Sequence, residues 1–152
     1  MSGAPVIAVA RPDQRDALEA LQWRASLANA DDRDALLAHP DAIELPLEMI
    51  QAGHVLTAEL DGVAVGFAAV LTRPDGEAEL DSLFVEPVHW KAGIGRALTQ
   101  ACCALARERG ARLLHVIGNP HALGFYLACG FERTGAHETR FGLGVLMQKP
   151  LI

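Results

Sequence analysis

Two glycines at the start of a long helical stretch are the first residues here whose type and spacing point to chemistry. They lie in Val85–Arg96, where an apolar strand ends at Pro87, a short loop follows, and Gly93 and Gly95 open a helical pattern. Glycine lets backbone N–H groups approach a ligand closely, and the first turn of a helix carries partial positive charge. The segment Gly93–Arg96 therefore predicts an anion site, with a pyrophosphate as the expected ligand. The alternative is that both glycines only permit a tight turn.

The surroundings of these glycines do not match a dinucleotide-binding fingerprint. That fingerprint needs a third glycine and an acidic residue about 20 positions further on, in a loop after the first strand of a βαβ unit. Here Leu98 occupies the third position, and the loop follows the last strand of a three-strand meander. A Rossmann site is therefore not expected.

The periodicity of the apolar residues predicts one α/β domain over residues 1–152 with a largely antiparallel sheet. Asp61-Gly62 and Arg73–Gly76 are the turn signals of the meander. The predicted strands are Val6–Ala10, His54–Leu60, Val63–Thr72, Glu77–Val85, Leu113–Ile117, Phe131–Thr134 and Gly144–Gln148. The first predicted helix is capped by Asp13 and runs to about Asn29, and a long one runs from Gly93 to a stop at Gly110. The other predicted helices are Asp32–Ala38, Pro46–Ala52 and Asn119–Cys129.

Composition and charge exclude several classes of protein. With 13 Lys and Arg against 19 Asp and Glu in 152 residues, the net charge of −6 argues against a broad basic face for nucleic acid. The longest apolar run, Gly62–Leu71, is about half of what a membrane-spanning helix needs, and a secretory signal is not expected because no basic leader precedes an apolar stretch near Val6. Three cysteines and six histidines show neither disulfide nor metal-ligand spacing, so a reduced cytoplasmic protein without a metal is expected.

The order of several short motifs resembles the GNAT superfamily of acetyl-CoA-dependent N-acetyltransferases. Members usually show a strand ending Val-x-Pro, then Gln/Arg-x-x-Gly-x-Gly/Ala, and later an Asn followed by Ala-x-x-Phe-Tyr-x-x-x-Gly-Phe. This chain supplies, in that order, Val85, Pro87, Gly93, Gly95, Asn119, Ala122, Phe125, Tyr126, Gly130 and Phe131. Trp90 stands where members have Gln or Arg. The resemblance implies an α/β (α+β) fold with a mixed, mostly antiparallel twisted sheet of six to seven strands, flanked by about four helices.

The resemblance also implies where acetyl-CoA binds. In the family, the strand matching Glu77–Val85 carries a bulge and separates from the strand matching Leu113–Ile117, and the pantetheine arm pairs with free backbone groups there. One of those N–H groups could also stabilise the oxyanion that forms when the amine attacks. Asn119 would contact the pantetheine amides, or instead form an Asx turn before Pro120. The implied cofactor-binding residues are Leu83, Phe84, Val85, Lys91, Ala92, Gly93, Ile94, Gly95, Arg96, Asn119, Phe125 and Tyr126.

Acetyl transfer to an amine involves two proton events, because the attacking ammonium must lose a proton and the leaving CoA thiolate gains one. Glu79 and Asp81 lie on one face of the third meander strand. Glu79 matches a position from which some family members supply a base, usually through water. Both carboxylates could instead bind a cationic substrate or face solvent. Tyr126, the sole tyrosine of the chain, matches the family's general acid, and its alternative is a packed aromatic on a short helix.

We therefore expect an N-acetyltransferase that moves acetyl from acetyl-CoA to a primary amine of a small molecule or peptide by direct attack in a ternary complex. The acidic balance favours a cationic acceptor, such as a polyamine, an aminoglycoside-like amine or a lysine side chain. The first two helices, Ile43–Gly53 and a loop over Gly135–Gly142 are expected to shape its pocket. A homodimer is expected because family members are often dimers. The alternative is a non-catalytic acyl-CoA-binding sensor or interaction module, which Trp90 keeps open.

Overall fold

The computed structural model describes residues 4–28, 30–139 and 142–151. Their strands are β1 (Val6–Val9), β2 (Val55–Leu60), β3 (Val63–Thr72), β4 (Ala78–Val85), β5 (Leu113–Gly118), β6 (Glu132–Thr139) and β7 (Gly142–Pro150). Their helices are α1 (Arg15–Leu27), α2 (Ala30–Ala38), α3 (Leu47–Gln51), α4 (Ile94–Glu108) and α5 (Leu123–Ala128). The strand order is β1-β2-β3-β4-β5-β7-β6, and parallel pairing joins β4 to β5. The predicted fold class, a mixed and mostly antiparallel sheet with flanking helices, is confirmed.

The described residues divide into two compact units. The first contains the residues up to Ala69 together with Ser82–Ala101, and the second contains Val70–Asp81 together with the residues from Cys102 onwards. The single domain expected from the sequence stays a prediction.

The core of the first unit forms where α1 covers the strands β2 and β3. Leu18 and Leu21 recur at helical spacing and are fully buried, as are Val55 and Phe67 of the strands. The turn between β2 and β3 forms as predicted, because Asp61 (φ 51°) and Gly62 (φ 81°) both adopt the left-handed conformation that a tight hairpin requires. The buried core residues are Ala10, Leu18, Leu21, Leu45, Ile50, Val55, Phe67 and Ala69.

The start of α1 differs from the prediction. Asp13 does not cap the helix, because it lies inside a 3-10 turn over Pro12–Gln14, and α1 begins at Arg15. Proline favours the first position of such a turn. Gln14 takes over the stabilising contact, since its side-chain Oε1 accepts the Arg11 N–H at 2.9 Å. The predicted end of this helix, Asn29, lies outside the described residues.

The second unit contains the parallel ladder and the carboxyl-terminal hairpin. The ladder between β4 and β5 pairs Ala78 with Leu114 and ends where Leu80 pairs with Val116. The antiparallel ladder between β5 and β7 runs from the pair Leu113–Pro150 to the pair Gly118–Val145. Buried apolar side chains on one face of these strands form the core of this unit: Ala78, Leu80, Leu114, Val116, Val145 and Met147.

The hairpin of β6 and β7 is longer than predicted. The sequence predicted that the strand would end at Thr134 and that a loop would follow, but β6 continues to Thr139 and pairs with β7 along its length, except at Thr134, where the register shifts. Residues 132–139 are largely small or polar and lack an alternating apolar pattern, so their strand conformation depends on backbone pairing with β7. Arg140 and Phe141 of the predicted loop lie outside the described residues.

Candidate functional site

The loop before α4 is built to present backbone N–H groups. Lys91 (φ 64°) and Gly93 (φ 85°) adopt left-handed conformations, and a Cβ at Gly93 would meet nothing within 4 Å. The Ala97 N–H donates to the Gly93 carbonyl at 3.0 Å, which is the first bond of the helix. The N–H groups of Ile94, Gly95 and Arg96 therefore belong to the first turn, where intrahelical acceptors are missing. The segment Lys91–Arg96, called the anion loop below, has the geometry expected for a phosphate group.

The side chains of the anion loop divide into one anchor and several exposed groups. Ile94 is 2% exposed, and its Cγ2 would lie 3.3 Å from a Cβ at Gly66, so it packs the start of α4 against β3. Lys91, Ala92, Gly93 and Arg96 are exposed. The cationic groups of Lys91 and Arg96 are thus available to an anion that reaches the loop.

The end of β4 is tightly packed in the first unit. The rings of Phe84 and Phe67 lie 5.7 Å apart, and the Phe84 carbonyl would lie 3.1 Å from a Cβ at Gly66. The Val85 carbonyl accepts a hydrogen bond from the Trp90 indole Nε1 at 2.7 Å. Of the backbone groups at Leu83–Val85 that were expected to be free for the pantetheine arm, the Val85 carbonyl is therefore already occupied.

An ion pair fixes the residue that follows β4. The Arg24 guanidinium on α1 donates Nε and Nη2 hydrogen bonds of 2.7 and 2.8 Å to the two carboxylate oxygens of Glu86. The hydrogen bond from Arg24 holds the pKa of Glu86 below its ordinary value. Because the two residues are 62 positions apart, this contact could not be predicted from the sequence.

The two predicted carboxylates lie in the second unit. Glu79 is half-buried on β4, and its Cα is paired with that of His115 on β5. The register continues from His115 to Gln148 and from Gln148 to Glu132, where the Gln148 amide donates to the Glu132 carboxylate at 2.9 Å. Asp81 lies two residues further along β4 and is exposed. Glu79 thus begins a row of polar residues across four strands.

Tyr126 is a buried aromatic on α5. Its ring meets those of Phe125 and Phe131 edge-on, with centroids 5.1 and 5.4 Å away. Burial raises the pKa of Tyr126 above its ordinary value, so the hydroxyl stays protonated at neutral pH. Sequence reasoning missed Gly118, where a Cβ would lie 3.0 Å from Cε2 of Tyr126. The one indication of this contact in the sequence was a glycine at the end of a mostly aliphatic strand.

The other predicted residues of the second unit are exposed at the surface. Asn119 precedes a 3-10 turn over Pro120–Ala122, but its side chain makes no capping hydrogen bond to that turn. The alternative role of Asn119, an Asx turn before Pro120, is therefore not seen. Phe125 is 36% exposed. Both side chains are accessible to a ligand, and Asn119 presents an amide.

The buried thiols do not favour a covalent mechanism. Burial raises the pKa of Cys102 to about 12 and also raises that of Cys103. A thiol reacts as its thiolate, so these two cysteines are poor nucleophiles at neutral pH. Across the described ranges, no three His, Cys, Asp or Glu side chains are grouped so that they could hold a metal ion.

Comparison with known proteins agrees with this geometry. The model of the acetyltransferase (GNAT) family matches residues 16–131. The chain belongs to the GNAT family of N-acetyltransferases, which confirms the resemblance inferred from its motifs.

Sequence relatives match part of this chain. Uncharacterised N-acetyltransferases of Mycobacterium bovis and Mycobacterium tuberculosis are 34% identical to it over 92 residues, which are 58% of this chain and 58% of each relative. The chain thus spans less than two thirds of the length of these curated relatives.

Solved structures match almost the whole chain. A GCN5-related N-acetyltransferase from Rhodopseudomonas palustris has a TM-score of 0.76 and 25% identity, with 99% of this chain and 98% of that chain covered. A Salmonella typhimurium protein solved with its cofactor acetyl-CoA has a TM-score of 0.73 and 25% identity, with 99% of this chain and 95% of that chain covered.

Among the described residues, no helix is long and apolar enough to cross a membrane.

Proposed function

We propose that this protein transfers an acetyl group from acetyl-CoA to a primary amine, by direct attack in a ternary complex. The observation that carries the proposal is the anion loop, whose left-handed residues Lys91 and Gly93 lead into the first-turn N–H groups of α4. This loop lies inside the stretch matched to the GNAT family.

The anion loop is the proposed site for the CoA pyrophosphate. The backbone N–H groups of Ile94, Gly95 and Arg96 would bind phosphate oxygens, and the open space at Gly93 leaves room for close approach. Backbone groups of Leu83, Phe84 and Val85 would pair with the pantetheine arm. Because Trp90 occupies the Val85 carbonyl, Val85 contributes its N–H. One of these N–H groups would stabilise the oxyanion.

Glu79 is the proposed base. A carboxylate on β4 can take the ammonium proton, directly or through water, and its charge also attracts a cationic amine. Glu79 is preferred over Asp81 because it is half-buried and lies opposite His115, whereas Asp81 is exposed. The polar row from Glu79 to Glu132 supports a cationic acceptor, such as a polyamine, an aminoglycoside-like amine or a lysine side chain.

Tyr126 is the proposed donor to the leaving thiolate. Its raised pKa keeps the hydroxyl protonated. Full proton transfer from Tyr126 to the thiolate is uphill, since a thiol has a pKa near ~8.5 and tyrosine a higher one. Tyr126 therefore acts by donating a hydrogen bond that strengthens as negative charge develops on sulfur. The thiolate leaves as the anion and takes its proton from water. Asn119 and Phe125 would contact the pantetheine arm from the same unit.

The test is acetyl-CoA-dependent thiol release with a panel of amines of the three classes named above. We expect release that depends on the amine, and a kcat about 10²-fold lower in Tyr126→Phe, which removes one hydrogen-bond donor to developing negative charge. The Kd for acetyl-CoA should not change, because that charge is absent before the reaction. The substitution keeps the ring packed between Phe125 and Phe131, so folding should be retained. Binding of acetyl-CoA without amine-dependent release, and without any effect of Tyr126→Phe, would instead indicate a non-catalytic acyl-CoA-binding module.

A further inference from the structure

The Trp90 side chain combines exposure with a fixed polar contact. The residue is 43% exposed, an unusual state for tryptophan, yet its indole N–H is hydrogen-bonded to the Val85 carbonyl at 2.7 Å. Its backbone N–H donates to the Pro87 carbonyl at 3.1 Å. Trp90 is thus bonded to the end of β4 through its side chain and to Pro87, just beyond that strand, through its main chain.

The residues between Val85 and Trp90 are held from the other side as well. The Glu86 N–H donates to the Val65 carbonyl at 2.8 Å, and the Glu86 carboxylate is bound by Arg24. The Glu86 carbonyl accepts the His89 N–H at 2.8 Å. The connection from β4 to Trp90 is therefore a short, multiply bonded segment.

The next residue is conformationally costly. Lys91 has a φ of 64°, a value that residues other than glycine adopt only rarely. Such a conformation persists only where the surroundings enforce it. The hydrogen bond of Trp90 to Val85 lies immediately before Lys91 in the chain, so it fixes the point from which the anion loop starts.

We propose that Trp90 is the positioning residue of the anion loop. By donating its indole N–H to the Val85 carbonyl, it holds Lys91–Ile94 in the conformation in which the first-turn N–H groups of α4 receive a phosphate group. This inference rests on the proposed function, because the phosphate is taken to be that of CoA.

The opposite role is that the indole blocks a carbonyl that the pantetheine arm needs. This role requires the ring to leave Val85 when the ligand binds. The backbone bonds at Pro87, Glu86 and His89 hold the main chain, so the ring could leave only by rotation of its side chain and loss of its 2.7 Å bond to Val85. The positioning role needs no such rotation. The two roles predict changes of opposite sign when the N–H is removed.

The experiment is calorimetric titration of CoA, ADP and pantetheine into the whole protein and its Trp90→Phe variant. The variant keeps an aromatic ring but loses the indole N–H. We expect the Kd for CoA and for ADP to rise about 3- to 10-fold, the equivalent of one hydrogen bond. Pantetheine lacks the pyrophosphate, so its Kd should not change. The matched control is Trp23→Phe on α1, which removes the other tryptophan of the chain and should bind all three ligands as the wild type does.

Each other outcome has a defined meaning. An unchanged Kd for CoA in Trp90→Phe would overturn the proposal and make the indole contact incidental, and a lower Kd would overturn it in favour of the blocking role. If wild-type protein does not bind CoA at all, the proposed function fails first.

A second measurement keeps Trp90 intact and therefore does not require Trp90→Phe to fold. In the Trp23→Phe background, the single indole N–H signal should exchange with solvent more slowly when CoA is added. Faster exchange on adding CoA would contradict the positioning role.

Discussion

At the scale of single residues, the contact between Arg24 and Glu86 shows how charge and geometry act together beside the anion loop. A bidentate ion pair orients both groups more strictly than a single contact does. Because the Glu86 pKa is lowered by Arg24, the stabilisation is complete above the ordinary glutamate pKa of 4.5 and is lost as the pH falls through the lower folded-state pKa.

Replacement of Arg24 by glutamine tests this contact. We expect the free energy of unfolding at pH 7 to fall by about 0.5–1 kcal/mol, since the Arg24 side chain is half exposed. The difference from wild type should vanish in acid, where Glu86 is protonated. Urea denaturation at neutral and acid pH measures both values. Arg73→Gln, which removes an exposed pair with Asp75, is the control and should cost less. A difference that persists in acid would show that Arg24 acts by packing instead.

At the scale of elements, close approach of β3 to the start of α4 depends on one glycine. A Cβ at Gly66 would lie 3.1 Å from the Phe84 carbonyl oxygen, 3.1 Å from Leu98 Cδ1 and 3.3 Å from Ile94 Cγ2. The carbonyl is backbone and cannot turn aside as a side chain could. Gly66 thus determines how closely the start of α4 packs on β3.

Two glycine-to-alanine substitutions should therefore have opposite effects. Gly66→Ala should lower the free energy of unfolding by about 1–3 kcal/mol through overpacking. Gly124→Ala in α5 has open space around the new methyl group, so it should raise stability by up to about 1 kcal/mol by reducing the entropy of the unfolded chain. Denaturant midpoints at constant m-value measure both. A neutral Gly66→Ala would mean that the packing of β3 on α4 relaxes more easily than these distances indicate.

At the scale of the whole molecule, the proposed binding of acetyl-CoA would be linked to folding. A ligand that binds the folded state alone raises its stability by RT ln(1 + [L]/Kd), about 2.7 kcal/mol at a hundredfold excess over Kd. The expected homodimer and cytoplasmic location stay predictions.

Thermal unfolding with and without acetyl-CoA tests this linkage. We expect a clear upward shift of the midpoint for wild type and little shift for Gly95→Glu, because the new carboxylate lies in the anion loop and repels phosphate. Gln100→Glu adds the same charge at an exposed position of α4 and should keep the full shift. Absence of a shift in wild-type protein at millimolar acetyl-CoA would remove the basis of the proposed function.

Features that depend on short-range patterns could be predicted from the sequence. The meander of β2, β3 and β4, the left-handed turn at Asp61-Gly62 and the glycine-rich entry to α4 follow from periodicity and from backbone conformations that few residues other than glycine adopt. The order of the motifs also identified the family. Each of these features depends on residues that lie close together in the sequence, within one helix or strand and the turn beside it.

Contacts between residues that are far apart in the sequence could be seen only in the folded structure. The pairing of Arg24 with Glu86, the room that Gly118 leaves for Tyr126, and the extension of β6 along β7 join residues whose separation along the chain carries no local signal. The bond from Trp90 to Val85 spans only five residues, yet it too required the structure, because no pattern of residue types shows which carbonyl an exposed indole will meet. The reason is physical: periodicity reports which face of an element is buried, whereas hydrogen bonds and close packing depend on where the folded chain brings the partner.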